Sequence, residues 1–114
     1  MEEKFTVEFL QEAADFLEKL DEKARRKIYY TIRKSQVTND AELFKKLTAH
    51  IWEFRTLHKK TCYRLFAFWD KSGKMPAVVI ATHGLLKKTG KTPIADLEKA
   101  ERLRRQYENE RREI

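Results

Sequence analysis

Glu53, Arg55 and Arg64 stand on two short runs in which charged and apolar residues alternate, Ile51 to Leu57 (IWEFRTL) and Cys62 to Asp70 (CYRLFAFWD). If Leu57 and Cys62 close a hairpin between these runs, Arg55 lies directly opposite Arg64 on one face of a sheet. Like charges placed that way destabilise a bare sheet by tenths of a kcal/mol up to about 1. Two readings follow. Either an anion sits between the guanidinium groups, whose planar forks grip phosphate through paired hydrogen bonds, or Glu53, diagonal to Arg64, pairs with the arginines itself.

A second group of chemically capable residues is Lys87, Lys88 and Lys91 in the run Leu85-Leu86-Lys87-Lys88-Thr89-Gly90-Lys91-Thr92-Pro93. It leads an apolar segment into three lysines, a glycine and the opening of a helix, where free N–H groups favour phosphate. The GxxxxGK[ST] spacing of a nucleotide-binding loop is absent. His83 sits inside an apolar run and reads as a satisfied core residue. His50 and His58 flank the first basic strand and could reach a nucleic acid. Cys62 reads as a small buried residue, and Trp52 and Trp69 as core aromatics before base-stacking groups. No His/Cys/Asp spacing resembles a metal-ligand set, so neither metal nor other cofactor is expected.

The charge distribution ties these residues together. Thr48 to Thr92 holds nine Lys/Arg against Glu53 and Asp70, which is the whole net charge of +7; Met1 to Leu47 and Pro93 to Ile114 each sum to zero. Charge confined to one stretch is either the footprint of a polyanion partner or a strip of solvated lysines. At 114 residues the chain is expected to form a single domain over 1–114. One cysteine allows no internal disulfide, and no apolar run approaches the roughly 18 residues of a membrane span. The expected compartment is the cytoplasm, without membrane contact.

The elements that must position these side chains follow from periodicity. Lys4 to Phe9 alternates as a half-buried strand does. Ala13, Phe16, Leu17 and Leu20 then mark one amphipathic helix, and Ala24, Ile28, Ile32 and Ser35 a second, with Asp21 as its N-cap. Val37 to Asp40 is the exit turn, with a short helical piece around Glu42 to Leu47. Ile51–Leu57, Cys62–Asp70 and Pro76–Leu86 form an antiparallel meander, turning at His58–Thr61 and Lys71–Met75. Thr92 caps a last helix that opens with Pro93 and runs on Ile94, Leu97, Ala100, Leu103 and Tyr107. The order β-α-α-β-β-β-α describes an α+β domain: an N-terminal strand and αα-hairpin, an antiparallel meander sheet and a C-terminal helix.

Ile51-Trp52-Glu53-Phe54-Arg55, Tyr63-Arg64-Leu65 and His83-Gly84-Leu85-Leu86-Lys87-Lys88-Thr89 with Lys91-Thr92-Pro93 together form a pattern. It resembles the RelE-like toxins of bacterial type II toxin–antitoxin modules, in their phage-derived HigB-like branch. The resemblance implies a toxin that enters the ribosome and cuts messenger RNA, neutralised by a cognate antitoxin with a helix-turn-helix. By the same resemblance Arg64 matches the strand arginine at the scissile phosphate, Lys87 and Lys88 the basic pair closing the last strand, and Glu53 with Arg55 the W-E-x-R pair. His83 matches the motif histidine and fits a scaffold role. The chain departs from some members of that superfamily in lacking a C-terminal catalytic tyrosine or histidine.

Cleavage by the RNA's own 2′-OH needs a base, in-line geometry and stabilisation of the charge that builds at phosphorus. Such stabilisation commonly contributes more to the rate than any other single effect. Arg64 and Arg55 are the candidates for it. For the base the candidates are Lys87 or Lys88, since neighbouring cations disfavour the protonated form of a lysine, and Glu53, which could instead orient Arg55. Arg55, Lys91, His58, Lys59 and Lys60 complete the set as RNA- or phosphate-binding residues. Two other functions remain compatible: a ParE-like inhibitor of DNA gyrase, and an RNA-binding module without catalysis.

Overall fold

The computed structural model describes residues 3–73, 77–87 and 90–112. Eight elements follow one another: β1 (Thr6–Phe9), α1 (Gln11–Glu18), α2 (Glu22–Val37), β2 (Phe44–Lys46), β3 (Trp52–His58), β4 (Thr61–Asp70), β5 (Val78–Lys87) and α3 (Ile94–Arg112). The strands form one sheet in the order β1-β5-β4-β3-β2. This is the α+β arrangement read from the sequence, compatible with a RelE-like fold, with two differences.

The first difference is β2. The run Glu42 to Leu47 is not helical; Phe44–Lys46 pairs antiparallel with β3, Phe44 opposite Phe54 and Lys46 opposite Trp52. The Phe44 ring stacks on Phe54 at 4.3 Å and on Trp52 at 4.8 Å between centroids. Three residues are too few for a visible alternation, and cross-strand aromatic contact decides their state over helix propensity. The second is an addition: β1, whose partner the sequence leaves open, pairs parallel with β5, Thr6 opposite Val78 and Phe9 opposite Ala81, beside the expected antiparallel meander.

Both faces of the sheet are covered. The α1–α2 hairpin buries Ala13, Leu17, Ile28 and Ile32 against Phe54, Leu65, Ala67, Val79 and Ala81. The Asp21 carboxylate accepts from Ala24 N–H at 2.9 Å and caps α2, while Arg25 donates to the carbonyls of Leu17, in the last turn of α1, and Leu20, just beyond it. Thr31 and Thr56 share a buried hydrogen bond of 2.9 Å between α2 and β3. Phe16 lies over Gly84 so closely that a Cβ there would stand 2.2 Å from its ring, which is why this strand position is a glycine.

α3 covers the other face. Ala100, Leu97 and Tyr107 pack with Phe66, Phe68 and Ile80. The Tyr107 hydroxyl donates to Asp70 Oδ2 at 2.7 Å and fixes the far end of the helix. The helix opens one residue later than its sequence signals indicate: Leu97 N–H donates to the Pro93 carbonyl, and the Thr92 hydroxyl is occupied elsewhere. Cys62 is half-buried rather than buried. Trp52 and Trp69 meet edge to face at 6.0 Å, within the aromatic group around Phe44.

Candidate nucleic-acid interface

β3 and β4 join through Lys59 and Lys60, both with positive φ (50° and 65°), a two-residue turn of the kind that matches strand twist. That turn fixes the register, and Arg55 lies opposite Arg64. Strand alternation sends Phe54 and Leu65 toward the helical hairpin and Glu53, Arg55 and Arg64 toward the α3 side.

There the anion between the two arginines is Glu53. Its carboxylate lies 3.5 Å from Arg55 and 3.6 Å from Arg64. Arg64 and Glu53 are buried, at 4% and 2% exposure, whereas Arg55 keeps part of its side chain in solvent. Arg64 also donates to the Thr92 hydroxyl at 2.7 Å and the Gly90 carbonyl at 2.8 Å. It thereby straps the segment before α3 onto the sheet. Gly90 adopts a φ of 98°, open to glycine at little cost, and this aims its carbonyl at Arg64.

Beside this group opens a shallow cleft of about 440 Å³. Its floor is Glu53, Arg55 and Arg64; one wall is Lys45 with Leu47, and the other is Gly90 to Thr92 with Leu97. Burial raises the Glu53 pKa above the ordinary carboxylate value, against the pull of Arg64, Arg55 and Lys45 and the Thr92 hydroxyl. Glu53 Oε1 and Arg64 Nε have no hydrogen-bond partner among the described residues.

The other candidates divide. Lys91 lines the cleft and is exposed. Lys87, on the same face in the register Cys62 opposite Lys87, donates to the Lys91 carbonyl at 2.6 Å and holds the loop rather than lining the cleft. Lys88 lies outside the described residues. His58, Lys59 and Lys60 are at the hairpin turn; the His58 ring faces Tyr63 at 6.3 Å on the hairpin side, and the Lys59 charge acts on Asp21. His50 stands with Trp52, Arg104 and Glu108 at the opposite end of the sheet.

His83 is buried and does not line the cleft. It is 3% exposed, stacks on Phe66 at 4.8 Å, and binds Thr82 Oγ1 through Nδ1 at 3.0 Å and Asp96 Oδ1 through Nε2 at 3.1 Å. Burial is the main cause of its lowered pKa, partly opposed by Asp96. Among the described residues no group of three or more His, Cys, Asp or Glu converges as a metal site. No helix among them is long and apolar enough to cross a membrane.

Sequence reasoning missed Lys45, because β2 is too short to show its alternation, and it missed Gly90 and Thr92 as partners of Arg64. The lysine-rich loop itself was visible. A family model for the phage-derived protein Gp49-like (DUF891) matches residues 15–105. The chain belongs to this Gp49-like family. The match runs from α1 into α3 and includes every residue of the cleft. The family is associated with toxin-like proteins. No curated protein matches the chain.

Proposed function

We propose that this Gp49-like protein is the toxin of a type II toxin–antitoxin module, in the HigB-like branch, and cleaves messenger RNA on the ribosome in the cytoplasm. A cognate antitoxin, of the helix-turn-helix kind, would neutralise it. The observation that carries the reading is the cleft: Lys45, Arg55 and Lys91, from β2, β3 and the loop before α3, surround one buried carboxylate.

In this reading the two arginines divide the work. Arg55, half in solvent, binds a phosphate oxygen and stabilises the charge that develops there, a preorganised electrostatic role. Arg64 positions Glu53 and the Gly90–Thr92 segment from beneath. Glu53, whose pKa burial raises, would take the 2′-OH proton or orient Arg55; Lys88 is the alternative base, while Lys87 holds the loop. No metal is needed for this chemistry, because guanidinium and ammonium groups supply the positive charge.

One observation favours a second reading. Arg64 and Glu53 are already engaged with protein partners, and no histidine lines the cleft among the described residues. A surface of that kind suits RNA binding without turnover. The deciding experiment is primer extension on a messenger RNA in a purified translation system, with wild type and Arg55→Ala in parallel. Ribosome-dependent cuts that vanish in the variant support the nuclease. Intact message with blocked translation identifies a binder, and unaffected translation moves the assay to gyrase supercoiling.

A further inference from the structure

A second cationic surface lies on the other side of the sheet, on α2. This helix carries six Lys/Arg against Glu22 alone, while α1 beside it carries Glu12, Asp15 and Glu18 and no base. The stripe Ala24, Ile28, Thr31, Ile32 and Ser35 is buried, and Arg26, Lys27, Tyr29, Tyr30, Arg33 and Lys34 are exposed. Tyr30 is the most exposed of them among the large hydrophobic side chains, at 65%. Its four helical neighbours three and four residues away are Arg26, Lys27, Arg33 and Lys34, and all four are exposed. Tyr29, 47% exposed, stands next to it and meets Phe9 edge to face at 6.4 Å.

Arg26 pairs with Glu22 and Arg33 with Glu3, both in solvent, where such pairs contribute little and yield readily to a phosphate. Lys27 and Lys34 make no ion pair among the described residues. A single exposed ring is ordinary on a helix surface, and what sets Tyr30 apart is its place among four exposed cations. A ring flanked by cations does suit an unpaired base stacked on it, with backbone phosphates on either side. The flanking pairs stand seven residues apart, about 10 Å along the axis.

We propose that the exposed face of α2 is a second RNA-binding surface, with Tyr30 as stacking platform and Arg26, Lys27, Arg33 and Lys34 as phosphate contacts. It rests on the preceding reading only in taking the polyanion to be RNA. With α2 and the cleft on opposite faces of the sheet, the protein would lie between two RNA segments.

The test is the salt dependence of binding to a single-stranded RNA of about 20 nucleotides. Fluorescence anisotropy reads it, in an Arg55→Ala background that weakens the cleft. Tyr30→Ala should weaken binding about tenfold with the salt slope unchanged. Lys27→Ala with Lys34→Ala should reduce the slope by about 1.4. Melting temperatures should not move, because all three side chains are exposed. Unchanged affinity and slope overturn the proposal. So does a slope change without any effect of Tyr30→Ala, which would leave phosphate contacts but no stacking platform. RNA binding lost in the α2 variants of a protein that cuts no message would sustain this surface and remove the nuclease.

Discussion

Arg64 lies directly opposite Arg55 in the β3–β4 ladder, yet only Arg55 presents its guanidinium to solvent. Both line the cleft, Arg64 buried in its floor and Arg55 half in solvent, although the sequence treats them alike.

That division predicts opposite phenotypes. Arg64→Ala removes the partner of a buried carboxylate, a change that costs about 3 kcal/mol or more, and should lower the melting temperature by roughly 10 °C. Arg55→Ala, at a half-exposed site, should leave melting within a few degrees while weakening RNA binding. Calorimetry beside an RNA-binding assay checks both, and a stable Arg64→Ala with a labile Arg55→Ala would reverse the assignment.

His83 makes the fold sensitive to mild acid. Its folded pKa lies below the ordinary histidine value of 6.5, so as pH falls through 6.5 the unfolded chain takes up a proton that the buried imidazole refuses. Stability from this group therefore declines below 6.5 and is untouched above it. Glu53, with its raised pKa, acts oppositely: its ionisation disfavours the fold as pH rises from 4.5. Comparing urea unfolding of wild type and His83→Gln isolates the first effect. The gap between them should narrow as pH is lowered from about 7.5 to 5.5; a constant gap would rule the linkage out.

Gly84→Ala should destabilise the protein without touching the cleft. The new methyl group would stand 2.2 Å from the Phe16 ring, and overpacking of this kind costs about 2 kcal/mol. Trimming the ring in the double variant Phe16→Leu, Gly84→Ala should recover part of the loss. Denaturant melts of the two variants provide the comparison.

The turn between β3 and β4 predicts a separation of stability from binding. Lys59 and Lys60 hold left-handed backbone conformations that asparagine and glycine tolerate better. Replacing them as Lys59→Asn, Lys60→Gly should raise stability by about 1 kcal/mol. If the two lysines also contact RNA, the same variant binds more weakly with a shallower salt slope. Unchanged binding would remove the turn from the interface.

The β3–β4 register was legible because a tight turn and strict alternation are both local signals. The α2 stripe was legible for the same reason, from Ala24 to Ser35. What could not be read depended on distant segments meeting. The burial of Arg64 requires Gly90 and Thr92 to fold back over it, 26 and 28 residues away. The pairing of β1 with β5 leaves no mark on either strand. The basic face of α2 was hidden differently: the acids of α1 cancel it in a linear charge sum, which does not tell the charges of one helix from those of the other.

The parallel pairing of β1 with β5 has a consequence for the order of assembly. Thr6–Phe9, which precedes both helices of the hairpin, has its strand partner in Val78–Lys87. Contacts so far apart in sequence are slow to form, because a long loop must close before they reward it. A growing chain can assemble the helical hairpin early, yet its first strand stays unmatched until translation has passed Lys87. The strap from Arg64 to Gly90 and Thr92 waits just as long. A prematurely terminated chain thus has neither a finished sheet nor a walled cleft, and synthesis itself sets the moment at which the basic site comes into being.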